Sequence, residues 1–321
     1  MRQKIHSVYH GASRLPSPLG GLALAIASLG WAWDTLLPQL NGTGQTLGAA
    51  IASVLLLALV AKFLLHPQIL KEELAHPVIG SVLPTFAMAL MVISNSVSQF
   101  HLQLSQGLWL TGIVLHLVFL SVFLYHRARE FQLNHMVPSW FVPPIGIIVA
   151  AVSYSGTDYQ WLAQALLRFG IGCYLVLLPV MLYRLIFCGE IDDAAKPTIA
   201  IMAAPASLSL AGYLNITEHP SIMLVALLLG IALLMTILVY MALVKLFTLP
   251  FSPGYAAFTF PLVIGATALF KVYDWINHEF GPTDLAMGIK TTAIVELIIA
   301  SIVVSYVIYR YVRFYSMRTT K

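Results

Sequence analysis

Ten apolar segments follow one another through this chain, at 18–37, 44–65, 78–98, 107–126, 137–155, 160–187, 195–214, 220–246, 252–274 and 287–311. About 20 apolar residues cross a hydrocarbon layer of roughly 30 Å as a helix. Backbone in lipid must satisfy its own hydrogen bonds, so a series of such segments reads as a helical membrane protein. The connections are too short to hold a soluble domain and make successive helices antiparallel neighbours. The expectation is therefore one all-α membrane domain over 1–321, with 1–17 and 312–321 as cytoplasmic ends. Only 9% of the residues are charged, against roughly 25% in a soluble domain. Residues 1–18 are basic and polar, with no short apolar core before a cleavage site, so no removable signal peptide is expected.

The charges give an orientation, because cytoplasmic loops retain Lys and Arg. Arg2, Lys4 and Arg14 precede the first helix, and Arg310, Arg313, Arg318 and Lys321 follow the last. Lys62 and Lys71, Arg127 and Arg129, Arg184 and Lys196, and Lys245 fall at the connections on that same side. Only Arg168, Lys271 and Lys290 remain for the rest. Both termini are expected in the cytoplasm, and the net charge of +4 is a signature of topology that calls for no nucleic-acid partner. Cys173 and Cys188 sit too far apart on one helix to bridge. The histidines show no metal-binding spacing, so neither a metal nor a cofactor is expected.

A second pattern separates odd helices from even ones. Every odd helix carries proline: Pro16 and Pro18 at the first, Pro84 in the third, Pro143 and Pro144 in the fifth, Pro197 and Pro205 in the seventh, Pro253 and Pro261 in the ninth. Among even helices only the sixth has an interior proline, Pro179, and the others are bulky and regular. Prolines and small residues are common in membrane helices generally. Their alternation with chain order points further, to five hairpins whose odd members form an inner ring around a channel and whose even members face lipid. In the ninth helix, Phe260 falls about 12 Å from the helix start, near mid-membrane. Pro261 behind it should kink the helix and leave the carbonyl of Ala257 without its helical partner. On that stretch alone Phe260 reads either as helix packing or as a functional ring.

Several stretches in this order resemble one family: PLGGLALAIASLGWAW in helix 1, His76-Pro77-Val78 before helix 3, VPSWFVPPIG in helix 5, MAAPASLSLAGYL in helix 7 and AAFTFPL in helix 9. Together they resemble the TehA tellurite-resistance and dicarboxylate transporter family, which includes the plant guard-cell slow anion channels. The resemblance implies ten helices as five hairpins around a quasi-fivefold pore, three protomers each with its own pore, and a gating Phe in helix 9. Carried over residue by residue, the gate falls on Phe260 with Phe258 beside it. The pore-lining glycine falls on Gly21, and the kink prolines on Pro143, Pro205 and Pro261. The helix 3 proline, Pro84, stands about one turn earlier than in relatives, where the matching position here is Ala87. Leu178 stands where some bacterial relatives carry an acid.

An aromatic ring across a channel of small side chains would exclude water and ions until it turned aside. The inner helices hold no deep Asp or Glu for a cation filter and no deep Lys or Arg, since Lys271 lies near the outer end. A neutral pore of this kind suits small anions that shed water easily. Arg168 and Glu296 lie deeper than other charges but on even helices, which favours structural pairing, protomer contact or snorkelling over a proton relay. The expected function is an anion channel or channel-like transporter of a bacterial inner membrane. A proton-coupled carrier of malate-like dicarboxylates, or an exporter of tellurite and toxic compounds, is the alternative. An intramembrane hydrolase built on Ser81 and His116 is not expected, because the two should lie at different depths. The six Asp residues all sit near helix ends.

Overall fold

In a computed structural model the protein is described over residues 11–319. Arg2, Lys4, Lys321 and the side chain of Arg318 lie outside the described residues, as does most of 1–17. No strand occurs among the described residues. Among those residues nine helices are long and apolar enough to cross a membrane, with a shorter apolar helix between the fourth and fifth of them. In chain order these ten are α1 (Leu19–Leu36), α2 (Thr43–Leu65), α3 (Ile79–Ser98), α4 (Leu102–Arg129), α5 (Pro138–Val152), α6 (Gln160–Phe187), α7 (Lys196–Ile216), α8 (Ile222–Leu246), α9 (Pro253–Phe280) and α10 (Asp284–Thr319). A helix not expected from sequence, Pro67–Ala75, fills the connection from α2 to α3, with Pro67 at its first position.

The short helix is the fifth segment, and its prolines explain its form. It stacks a 3-10 turn (Pro138–Phe141), an α turn (Val142–Ile145), a second 3-10 turn (Gly146–Ile148) and a last α turn (Val149–Val152). Because 3-10 geometry rises about 2.0 Å per residue against 1.5 Å for α, these 15 residues reach about 26 Å.

Prolines interrupt α3, α7 and α9 by a different route from a kink, while α1 runs unbroken over Leu19–Leu36. The α segment of α3 restarts at Thr85 with Pro84 as its N-cap, that of α7 at Ala204 with Pro205 second, and that of α9 at Phe260 with Pro261 second. In the first turn a missing N–H costs nothing, because those donors have no helical partner. α3, α7 and α9 are thus each two pieces meeting at a proline. In α9 the break falls at Thr259 (φ −88°, ψ −72°), one residue before the expected place, and Phe260 is already helical. The Thr259 hydroxyl closes the joint by donating to Ala256 O at 2.6 Å.

Contacts among odd helices run in a closed circuit, α1 to α3 to α5 to α7 to α9 and back to α1. Each even helix packs outside, against its odd partner and the next odd helix. Burial follows that division: 56–83% of residues in the four long odd spans are buried, against 28–39% in the even ones. The α1–α2 pair is the closest, because glycines let the backbones meet: a Cβ on Gly30 would stand 2.2 Å from Gly44 O.

Three cations placed by sequence at solvent-facing connections are instead turned into the protein. Lys62, in the last turn of α2, is buried and pairs with Glu73 at 2.7 Å. Arg127 donates to Ala75 O, and Arg184 to the carbonyls of Leu133, Asn134 and Gly189. Each long side chain reaches from a helix end to a carboxylate or to loop carbonyls that lack a helical donor, so these charges hold the connections in place.

Candidate functional site

A cavity of about 510 Å³ opens on the face where the odd helices begin. Its wall takes residues from near the start of all five: Ser17 and Pro18 at α1, Val78 at α3, Phe141 in α5, Thr198 in α7 and Pro253 in α9. The reason is shared geometry, since each odd helix enters through a proline at or near its first turn and the five run side by side. One turn or more deeper, the wall continues with Gly21, Met88, Ile145, Leu208 and Phe260. Phe260 is only 6% exposed. Gly21, on the neighbouring helix α1, lies against Thr85 and Ala256, to which a Cβ would come within 3.9 Å.

The mouth is polar. Glu73, His76 and Asp192 line it, and the Glu73 charge is met by Lys62 while the Ser17 hydroxyl donates to its other oxygen. Lys62 also donates to Ser17 Oγ at 2.8 Å, so one buried cluster ties α1, α2 and the connecting helix at the rim. His76 Nδ1 accepts from the N–H of Val78 (3.1 Å) and Ile79 (3.2 Å), capping the start of α3. An accepting Nδ1 places the ring proton on Nε2. Partial burial, then the neighbouring Arg127 cation, push the His76 pKa below its ordinary value, and Glu73 opposes them.

Of the candidate gate, lining and kink residues carried over from the family, four meet at this cavity: Gly21, Pro205, Phe260 and Pro261. Pro84 and Pro143 are buried at helix joints and are not among its lining residues; the carbonyl of Pro143 lies 2.8 Å from His116 Nε2. Phe258 is turned away from it, edge-on to Phe247 with ring centroids 5.3 Å apart and packed on Tyr255 at 4.8 Å. A residue two before Phe260, on the 3-10 side of the joint, points to a different side of the helix. Arg168 lies on the exposed flank of α6. Glu296 is buried between α8, α9 and α10, its Oε2 unpartnered and set into the notch left by Gly265, where a Cβ would stand 2.7 Å from that oxygen. No ion pair joins Arg168 to Glu296 among the described residues. Lys271 donates to Asn215 Oδ1 at 2.8 Å.

The hydroxyl of Ser81 lies 2.6 Å from Ser139 Oγ and donates to Val78 O, while His116 meets Pro143, so neither is bonded to the other. Sequence reading missed the rim cluster and the deeper lining residues Met88 and Leu208. A signal for the latter pair was present: they follow Pro84 and Pro205 by four and three residues, one turn into the second piece of each inner helix.

A family model described as SLAC1, voltage-dependent anion channel, matches residues 18–312. Two uncharacterized transporters of Methanocaldococcus jannaschii are similar along most of their length. One is 27% identical over 252 residues, covering 70% of this chain and 73% of the relative. The other is 25% identical over 251 residues, covering 69% and 72%. The match takes in every helix of the inner circuit and the cavity they enclose, and the protein belongs to the SLAC1 family of voltage-dependent anion channels.

Proposed function

We propose that the protein is an anion channel whose path follows the axis of the inner circuit, enters through the cavity and is shut by Phe260. The observation that carries this reading is the cavity itself, walled by residues near the beginnings of all five odd helices, with the Phe260 ring among its deeper lining residues. Helix N-termini concentrate positive potential. Five of them around one mouth favour an anion over a cation, and the Glu73 charge at the rim is neutralised by Lys62. The level of Phe260 is apolar, so a permeating ion must lose much of its water there, which favours large, weakly hydrated anions such as nitrate over chloride.

On this reading the ten helices are ten spans in quasi-fivefold order, 1–321 is one transmembrane domain, and 1–17 and 312–321 are cytoplasmic with the cavity facing the cytoplasm. The apolar outer faces of the even helices then meet lipid or the other protomers of a homotrimer in a bacterial inner membrane. Planar-bilayer or oocyte currents test the gate. Phe260→Ala is expected to raise the anion current at least tenfold over the native channel, reversing near the small-anion potential. Currents of native size in a well-expressed variant, or saturable pH-coupled malate uptake with no current, would overturn it.

A further inference from the structure

The level beyond Phe260 carries a pattern that the gate does not explain. Counting seven residues on from the cavity residues Gly21, Met88, Leu208 and Phe260 leads to Ser28, Asn95, Asn215 and Thr267, and Ser153, at the end of α5, joins them. All five are polar, one on each odd helix. Seven residues are about two turns, so in a continuous helix the later residue faces within about 20° of the earlier one and lies about 10 Å further along. These four pairs each fall inside one unbroken α segment. The fifth is placed by its bond, since Asn95 Nδ2 donates to Ser153 O at 3.0 Å.

Lys271 joins the same level. It stands eleven residues past Phe260 on the same α segment, hence on the same face within about 20° and about 16 Å deeper. Apart from Lys196 at the first position of α7, it is the only Lys or Arg within the odd helices. Its ammonium donates to Asn215 Oδ1, and Asn215 Nδ2 donates in turn to Ala151 O at 2.8 Å. It makes no ion pair among the described residues, and Asp274, one turn on, acts on it only through space. An ammonium has three donors, and one is used. Thr267 and Ser153 give their hydroxyl protons to their own helices, at Val263 O and Val149 O. The unused charge-bearing donors of this level therefore belong to Lys271.

We propose that this polar level is a second anion site, on the far side of Phe260, with Lys271 as its cation and a single monovalent, weakly hydrated anion of the nitrate or halide class as its occupant. The proposal rests on the pore reading above and adds a residue that sets selectivity. One ammonium held by a neutral amide attracts one small anion without locking it in a carboxylate-like pairing, which suits release on the next step of permeation.

Lys271→Gln removes the charge and keeps a group able to bond Asn215; Lys271→Arg keeps the charge. Two readouts are compared. In detergent, replacing gluconate by nitrate at constant ionic strength raises the thermal unfolding midpoint of the native protein and the Arg variant, and the Gln variant loses that shift. In bilayers, on the Phe260→Ala background, the Gln variant carries several-fold less chloride current and its chloride-over-sodium selectivity falls. A Gln variant that retains the nitrate shift together with the full current overturns the site. If no variant conducts while the nitrate shift still depends on residue 271, the site stands and the channel reading fails. Lys271→Cys serves if the Gln variant does not fold: an aminoethyl thiosulfonate that restores the charge restores the nitrate shift, and its failure to do so overturns the proposal.

Discussion

Replacing Lys62 by Met tests how the cavity mouth is held and how it is charged. Lys62 and Glu73 meet at 2.7 Å with side chains 2% and 15% exposed, and Ser17 bonds to both. Removing one partner of a buried pair costs about 3–5 kcal/mol, because the other is left charged without compensation. Here the survivor is Glu73, which opens onto the cavity and keeps the Ser17 hydroxyl. Water reaches it, and the expected cost falls to about 2–3 kcal/mol. Glu73→Gln in the same chain removes the stranded charge and should recover at least half of that loss, a coupling of about 1.5 kcal/mol. The assay is unfolding of the purified protein by dodecyl sulfate in mixed micelles, read by tryptophan fluorescence. Conduction supplies an independent check. A bare carboxylate about 10 Å from the path, at an effective dielectric constant of about 40, raises the free energy of an entering anion by about 0.8 kcal/mol, about fourfold in rate. The single variant should therefore lower anion current on the Phe260→Ala background, less so at high salt, and the double variant should restore it. A stability loss below about 0.5 kcal/mol for Lys62→Met, or no recovery with Glu73→Gln, would refute the reasoning.

Two further expectations follow from residues at the same cavity. Stepping the gate down in size, Phe260→Leu should conduct between the native protein and Phe260→Ala, and Ala should cost less than the 3–5 kcal/mol typical of a buried Phe, because the space it leaves merges with the existing cavity. His76 caps α3 through an accepting Nδ1, and its folded pKa is below the ordinary 6.5. Between those two values the unfolded chain binds more protons than the folded one, so stability rises with pH across that window and is lost as pH falls through it. Melting midpoints should drop on acidification below about pH 6.5. His76→Asn, whose amide oxygen can cap without titrating, should flatten that slope, and an unchanged slope would sink the assignment.

The inner circuit was legible because proline leaves a mark in every odd helix and the even helices lack one at matching places. How the chain accommodates those prolines was not. A proline in an apolar run reads as a kink, but the tertiary fold starts a new helical piece, which moves the break in α9 to Thr259 and turns Phe258 onto Phe247. Lys62 read as a loop cation, since nothing local reveals that Glu73, eleven residues on, folds back over it. The polar level at Ser28, Asn95, Ser153, Asn215 and Thr267 stood in the sequence throughout. It had no register to be counted from until the cavity supplied Gly21, Met88, Leu208 and Phe260 and the Asn95 bond placed Ser153.

The division of labour between odd and even helices also bears on how the chain enters a bilayer while it is being made. In each hairpin with two long spans the odd helix comes first and is the less apolar of the two. In α3, α7 and α9 it also bears a proline joint, where a backbone carbonyl lacks a helical donor. Such a segment gains less by partitioning into lipid alone than its successor does. The hairpin, rather than the single helix, becomes the unit of insertion, with the even helix drawing its broken partner in beside it. Glycosylation tags on chains truncated after α7 or after α8 would test this order, with α7 membrane-inserted efficiently only in the longer chain; equal insertion in both would show that the broken helices enter unaided.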